Sequence, residues 1–335
     1  MLRQQDVGHR IVVRRIVGIR EGRPLFSDAL GELVELSETH LTLATAQGPL
    51  RVPVAQVHRA KRVPPTRRPT AAAVVALERA ANEAWPAPTR GRLGDWLLRS
   101  AEGWTGRANS ALPIGDPDRP LPAAVDAVER WYAERGQPAI INTPLPLAAP
   151  VGAELDERGW TTRPPTLVQT APLPVDALAL GGPGVAVVEV ATAPSEDWLA
   201  IAAGRKGGLP DAARHVLTAV DQVRFAHAYV DGALAAIGRA TVTGQGRWLG
   251  LSLIEVVPAA RRQGLARRVL GELAAWGVSA GATHAFLQVE QRNTPAIALY
   301  RTLGFTTHHT YLTRVAPSPP PHRPPSVDLA LSAAT

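Results

Sequence analysis

Leu253-Ile254-Glu255-Val256-Val257-Pro258-Ala259-Ala260-Arg261-Arg262-Gln263-Gly264-Leu265-Ala266 decides the reading of this chain. A β-rich run ends at a proline, a basic turn follows, and a helix opens at a glycine. The start of a helix carries unpaired N–H groups and the positive end of its dipole. A pyrophosphate suits that place, and neighbouring arginines reinforce it. Gly264 lets backbone come close to phosphate oxygens where a Cβ would intrude, and Ala266 keeps the next turn small. Behind the turn, Leu265, Val269, Leu273 and Trp276 fall on one helical face, and Arg267, Arg268 and Glu272 point outward. The spacing predicts an amphipathic helix over 264–280. Taken alone, a glycine at a helix start fits a plain structural turn as well as it fits a phosphate cradle.

The second informative stretch is Leu287-Gln288-Val289-Glu290-Gln291-Arg292-Asn293-Thr294-Pro295-Ala296-Ile297-Ala298-Leu299-Tyr300-Arg301-Thr302-Leu303-Gly304-Phe305. It reads as a strand, a polar turn and a capped helix. Asn293 or Thr294 can cap, Pro295 suits the first turn, and Gly304 suits the stop. Together the two stretches resemble the GNAT N-acetyltransferase superfamily. Arg261, Gly264 and Ala266 match its (Gln/Arg)-x-x-Gly-x-(Gly/Ala) motif. Asn293, Ala296, Tyr300 and Leu303-Gly304-Phe305 match its later motif at the right distance. The resemblance covers about residues 185–315. Val289-Glu290 ahead of Asn293 looks like the tandem members of the superfamily such as mycothiol synthase. The whole order of segments is similar to a group of actinobacterial acetyltransferases with an N-terminal SH3-like domain.

The resemblance implies an α/β (α+β) fold with a mixed central sheet, and an acetyl-CoA-dependent N-acetyltransferase. Backbone groups of Glu255, Val256 and Val257 would pair with the pantetheine arm. Backbone N–H groups of Arg262, Gln263, Gly264, Leu265, Ala266 and Arg267 would hold the pyrophosphate, with Arg261 beside them. Asn293 would hydrogen-bond the arm, with Ala296 next to it, and Tyr300 would protonate the departing thiolate. An N–H near Val256 or Val257 would stabilise the oxyanion. Glu255 and Glu290 are the candidate general bases, and a solvated strand carboxylate is the alternative for each. Tyr300 fits a packing aromatic as its second reading. The acceptor is a primary amine on a small molecule or a protein, attacked directly in a ternary complex, with acetyl-CoA as co-substrate and no metal. His308 and His309 are adjacent on an expected strand, so they should face opposite sides and not share a metal. Arg239, Trp248 and His227 are candidates for shaping the acceptor pocket.

Upstream, the order helix, strand, short helix, Gly-aromatic, strand occurs a first time. Its pieces are Pro122–Arg135, Ala139–Ile141, Gly152–Arg158, Gly159-Trp160 and Leu167–Thr170. The second copy is Gly264–Ala280, His284–Val289, Thr294–Leu303, Gly304-Phe305 and Thr306–Val315. In the first copy the turn Leu112–Pro122 has prolines without N–H groups, plus Asp116 and Asp118, which would repel phosphate. This half is expected not to bind acetyl-CoA but to pack beside the second and help form the acceptor site. Trp104, Arg107 and Asn109 are its candidates, on an expected strand 106–112. A helix over 71–84, a strand at 96–99 and a hairpin through Asp231-Gly232 complete the reading.

Residues 1–64 carry five short β-rich runs: Ile11–Val13, Ile16–Val17, Leu33–Leu36, Leu41–Ala44 and Leu50–Val54. They suit an SH3-like barrel, which ends at the basic linker Val63–Pro69. The expected organisation is this barrel, a degenerate GNAT-like half over 65–180, a catalytic GNAT domain over 181–316 and a disordered Pro-rich tail over 317–335. Leu173–Pro183 reads as the linker between the halves. Residues 1–70 hold 12 Lys/Arg against 6 Asp/Glu, and the other 265 hold 24 against 23, so the basic charge belongs to the N-terminal segment. A nucleic-acid partner is one reading of that charge and a solvated basic face is the other. The rival to an enzyme is therefore a non-catalytic acyl-CoA sensor, or a nucleic-acid- or protein-binding molecule using the barrel. No Gly-x-Ser-x-Gly elbow supports a hydrolase. The chain has no cysteine, which excludes disulfides, thiolate metal sites and a cysteine nucleophile. No run approaches the roughly 20 apolar residues of a membrane span, and Met1–Asp6 lacks the apolar core of a secretory leader. A cytoplasmic location is expected.

Overall fold

The computed structural model describes residues 2–45, 48–63, 69–175, 187–204 and 209–317. The chain divides into two compact units, Met1–Arg68 and Pro69–Thr335. The first holds β1 (Arg10–Arg20), β2 (Arg23–Leu36), β3 (His40–Thr45), β4 (Gly48–Pro53) and β5 (Val57–Arg62). They form an antiparallel sheet in the order β4-β3-β2-β1-β5. Ile11, Val13, Leu33, Leu41, Leu43 and Val52 form its core, and Ile11/Val13 and Leu41/Leu43 show the alternation of strands with one buried face. Two expected strands, Ile11–Val13 and Ile16–Val17, are parts of β1, which bulges between Ile16 and Gly18. The remaining strand is Val57–Arg62, whose polar composition hid it. β4 and β5 are the sheet edges, and no ladder joins them among the described residues. A β-rich unit is present, without the closure of a barrel.

The second unit holds α1 (Ala71–Ala84), β6 (Thr89–Leu93), β7 (Trp96–Ser100), α2 (Leu121–Ala133), β8 (Ile140–Leu145), α3 (Ala149–Glu157), β9 (Thr161–Thr162) and β10 (Thr166–Pro172). It continues with β11 (Val187–Ala191), α4 (Glu196–Gly204), α5 (Asp211–Thr218), β12 (Val223–Val230), β13 (Ala233–Thr243) and β14 (Trp248–Val256). It ends with α6 (Leu265–Ser279), β15 (His284–Glu290), α7 (Thr294–Thr302) and β16 (Thr306–Val315). Its main sheet runs β11-β12-β13-β14-β15-β10-β16-β8, with β9 on β16. Only β14 and β15 pair in parallel, so the sheet is mixed. No helix among the described residues is long and apolar enough to cross a membrane.

The order α2-β8-α3-β10 recurs as α6-β15-α7-β16, and the two copies exchange their last strands. β10 pairs with β15 over seven residues, from Thr166↔Glu290 to Pro172↔His284. β16 pairs with β8, from Val315↔Ile140 to Thr310↔Leu145. A division at residue 180 therefore passes through one sheet, because each half's final strand is hydrogen-bonded into the other. The linker reading at 173–183 falls mostly on residues 176–186, which lie outside the described residues. Helix α6 seats closely on the sheet through two glycines. A Cβ at Gly238 would lie 2.4 Å from Val269, and one at Gly277 would lie 2.7 Å from Leu249.

Arg239 ties the two halves together. It is buried on β13 and donates to the carbonyls of Leu217, Ala84 and Val216 at 2.8, 3.0 and 3.2 Å. These belong to the last turns of α5 and α1, where carbonyls lack intrahelical partners and the helix dipole is negative. Its guanidinium also lies 5.1 Å from the Trp85 ring. Burial pushes its pKa down to about 9, which leaves it charged at neutral pH. Thr243 adds a second tie, donating to the Ala80 carbonyl of α1 at 2.9 Å.

Two local expectations change. The segment 106–112 is not a strand: Arg107–Asn109 form a 3-10 turn, followed by single bridges Leu97↔Leu112 and Ala111↔Ile141. Asn109 is the reason. Its Oδ1 accepts from Ala101 and Gly103 N–H, and its Nδ2 donates to the Trp104 and Thr105 carbonyls, so the side chain satisfies the folded-back loop. His308 and His309 do not face opposite sides. Val168 pairs with His309 and Gln169 with Thr307, so His308 is the extra residue of a β-bulge. The two Nδ1 atoms are 2.8 Å apart, and His309 Nε2 lies 2.7 Å from buried Glu78 Oε1 on α1.

Arg239→Met should lower stability by about 3 kcal/mol, because it leaves buried carbonyls without a donor; an unchanged urea midpoint would contradict the assignment. Burial, with the neighbouring His309, pushes the His308 pKa down to about 4 from the ordinary 6.5. Between those values the unfolded chain binds a proton that folded His308 refuses. Stability is therefore fully present above pH about 6.5 and falls as pH drops toward 4. Urea midpoints taken across this range should fall less steeply for His308→Asn than for the wild type.

Candidate active site

The site begins where two strands part. β14 and β15 are paired from Trp248↔His284 to Leu251↔Leu287 and no further. Beyond Leu251, β14 stays with β13 through a bulge. Arg239 pairs with Ser252 and Ile237 with Glu255, so Leu253 and Ile254 oppose Gly238 alone. Leu253 takes a positive φ of 53° to make that bulge. β15 meanwhile stays with β10 as far as Glu290. Each strand follows a different neighbour, and a cleft of about 830 Å³ opens between them. Ser252–Glu255, Gln288–Glu290 and, from α7, Asn293, Ala296 and Tyr300 line one part of it. Trp85, Thr105–Arg107, Arg163, Thr166 and Tyr311 line the rest.

Backbone polarity along β14 selects one residue. The Val257 N–H donates to Ala235 at 2.9 Å, and its carbonyl accepts from Ala260 N–H at 3.0 Å. The Val257 N–H is therefore already used within the protein. Peptide groups alternate between the two edges of an antiparallel strand, so with Val257 turned to β13 the Val256 groups face the cleft. The Val256 carbonyl accepts from Arg261 Nε at 3.3 Å.

The turn before α6 is a cradle of donors. Arg262 and Gly264 have φ of 65° and 79°, and space within 4 Å of the missing Gly264 Cβ is empty. Arg267 and Arg268 N–H donate to the Gly264 carbonyl at 3.0 and 3.2 Å. Arg267 is thus removed from the expected set of anion donors. The N–H groups of Arg262, Gln263, Gly264, Leu265 and Ala266 donate to no acceptor among the described residues. They sit at the positive end of a helix of 15 residues.

On α7, Asn293 Oδ1 accepts from Ala296 N–H at 3.3 Å and caps the helix. The cap uses only the oxygen and leaves the Nδ2 donors for a ligand. Half-buried Tyr300 leans on Phe305, with ring centres 5.9 Å apart and tilted by 57°. Glu255 is half-buried in the cleft. Glu290 is exposed and held by Arg292 at 2.5 Å. Of the two candidate bases, Glu290 is thus committed to a cation.

The opposite wall comes from the first half. Trp85 stacks on Trp104 with centres 5.5 Å apart and donates from Nε1 to Thr105 Oγ1 at 3.1 Å. Arg107 lies over Trp85, 5.4 Å from the ring centre. Of the three residues singled out in this half, Arg107 lines the cleft, whereas Trp104 and Asn109 are buried supports beneath it. Arg239, Trp248 and His227 lie outside the lining. Trp248 packs on Phe286 and His284. His227 is a buried structural link: its Nδ1 lies 3.2 Å from the Phe225 carbonyl, and its Nε2 accepts from Ser195 N–H at 3.3 Å. Burial lowers its pKa and keeps it neutral. Trp85, Thr105, Arg163, Gln288 and Tyr311 were missed in the sequence. They come from separate segments and share no spacing.

The family model described as "Probable histone acetyltransferase Rv0428c C-terminal" matches residues 71–313. The chain is 31% identical to "Probable histone acetyltransferase Rv0428c" of Mycobacterium tuberculosis, over 92% of this chain and 95% of that protein. It is 28% identical to "Uncharacterized N-acetyltransferase YobR" of Bacillus subtilis, over 71% of this chain and 98% of that protein. Among solved structures, a GCN5-related N-acetyltransferase from Kribbella flavida superposes with a TM-score of 0.58 at 18% identity, covering 76% of this chain and 98% of that one. A tandem GNAT protein from the clavulanic acid biosynthesis pathway superposes at 0.50 and 18% identity, covering 76% and 91%. These two likenesses concern the fold.

Asn109→Ala removes the acceptor and donors that fold the 101–105 loop under Trp85. It should cost about 2–3 kcal/mol, since buried N–H groups are left unpaired, and should raise amide exchange in residues 101–105 ahead of the rest of the unit. Wild-type exchange in that loop would show that Asn109 does not hold it.

Proposed function

The chain belongs to the family described as probable histone acetyltransferase Rv0428c C-terminal and is a GNAT-type N-acetyltransferase, and we propose that it transfers the acetyl group of acetyl-CoA to a primary amine. The parting of β14 from β15, with the donor cradle of residues 262–266 beyond the end of β14, is the observation that carries this reading. A pyrophosphate takes the free N–H groups of that cradle, and Arg261 adds positive charge. The pantetheine arm lies in the cleft as an added strand, donating to the Val256 carbonyl. Arg261 Nε, now on that carbonyl, swings toward phosphate. Asn293 Nδ2 donates to an amide carbonyl of the arm.

The neutral amine attacks the thioester carbon directly. One C–N bond forms, and the carbonyl oxygen gathers negative charge. The Val256 N–H is the donor aimed into the cleft at this point, and a preset donor favours the charged intermediate over the starting ester. Collapse breaks the C–S bond. Tyr300 gives its proton to the leaving thiolate. The proton lost by the amine passes to Glu255, directly or through water, and from there to solvent. The products are the N-acetylated amine and CoA thiol.

Heat of binding for acetyl-CoA should be measurable for the wild type and lost in Gly264→Glu, which adds a carboxylate and a strained φ inside the cradle. Tyr300→Phe should lower kcat by about 100-fold, in line with removal of a general acid, and leave acetyl-CoA affinity near wild type. A wild-type protein that does not bind acetyl-CoA overturns the reading. Unchanged kcat in Tyr300→Phe removes the tyrosine from it.

A further inference from the structure

The cleft wall opposite α7 carries two arginines with no carboxylate partner. Arg163 places Nη1 3.3 Å from where a Gly106 Cβ would stand, so its guanidinium lies beside the residue preceding Arg107. Neither makes an ion pair among the described residues. Three other arginines of this unit do have carboxylate partners: Arg158 with Asp126 and Glu154, Arg314 with Asp156, and Arg292 with Glu290. Arg107 Nε is buried and donates to nothing among the described residues. Its charge also opposes those of buried Arg99 and Arg239. A buried donor without an acceptor, beside like charges, is unfavourable. An anion between Arg107 and Arg163 would relieve both conditions. Planar guanidinium forks match the oxygen spacing of carboxylate and phosphate.

We infer that the amine acceptor is a small molecule carrying an anionic group, a carboxylate or a phosphate, which Arg107 and Arg163 hold while its amine reaches the thioester. This rests on the acetyl-transfer reading above. The placement suits it: Tyr300, Asn293 and Glu255 line the part of the cleft read as the acetyl-CoA side, and Trp85, Thr105, Arg107 and Arg163 form the remaining wall. Trp85, buried under Trp104, Arg107 and Arg239, supports the Arg107 guanidinium from beneath. A lysine-rich peptide meets the opposite conditions. Arg107 and Arg163 repel it, and the lining Glu290 is already neutralised by Arg292.

The test is thiol release from acetyl-CoA with a matched panel: free α-, β- and ω-amino acids, aminoalkyl phosphates, the corresponding amino alcohols, and a lysine-rich peptide. At least one anionic amine should exceed its amino alcohol in kcat/KM by about 10- to 100-fold, the range of hydrogen bonds to a charged group. Arg107→Gln and Arg163→Gln should each raise KM for that amine about 10-fold, with kcat changed far less and acetyl-CoA affinity kept. Whether the amino acids or the phosphates show this arginine dependence identifies the anion. Arg163 is exposed, so its variant decides the matter even where Arg107→Gln disturbs folding. Equal or better use of the amino alcohols or the peptide overturns the inference. So does the absence of turnover on every anionic amine by protein that binds acetyl-CoA. Failure to bind acetyl-CoA at all overturns the acetyl-transfer reading instead.

Discussion

β14 cannot keep both of its neighbours, and the site depends on that constraint. Up to Leu251 it is hydrogen-bonded to β13 on one edge and β15 on the other. The bulge at Leu253–Ile254 then turns the strand and increases its twist. β13 follows through the shifted register, whereas β15 stays with β10 over seven pairs. The edge of β14 beyond the bulge is left with peptide groups that no strand pairs, the Val256 carbonyl accepting from Arg261 Nε instead. Such groups are costly unless a partner arrives, and an extended ligand with amide groups of its own is the natural partner. The turn at 262–266, with its unpaired N–H groups, lies just past the same strand.

The partner that β15 keeps is supplied by the other half of the chain. β10 belongs to the first copy of the repeated order, yet it lies between β15 and β16. The exchange is reciprocal, since β16 lies between β10 and β8. Arg239 and Thr243 extend the dependence to α1. A half that lacks the cradle is therefore still required by the half that has it, as a scaffold and as one wall of the cleft. Family matching over 71–313 as one block agrees with this interdependence.

That wall also divides labour between contact and support. Arg107 and Trp85 face the cleft. Trp104 and Asn109 sit under them and fix the loop, Asn109 through both ends of its amide. In the sequence Trp104, Arg107 and Asn109 look alike as candidates, because a buried polar side chain and a ligand-facing one share the same residue types. Only the fold tells which atoms are already hydrogen-bonded. The same holds for the two glutamates: Glu290 is occupied by Arg292, and Glu255 is placed in the cleft.

Local chemistry was legible from residue order alone. The glycine at a helix start, the Asn293 cap, the amphipathic face of α6 and the Asp231-Gly232 turn each rest on neighbours within a few positions, so their spacing reveals them. The superfamily followed from two such stretches. What needed tertiary structure rests on partners far apart in the chain. The bulge at His308 put two adjacent rings together, because the register with β10 demanded an extra residue there. The Val257 N–H found its acceptor at Ala235. The last strands of the halves changed places, and Trp85, Arg107 and Arg163 met across the cleft. Hydrogen-bond pairing between distant strands carries no local signature, so the sequence by itself determined the glycine-led turn that opens α6, and only the folded sheet decided what stands opposite it.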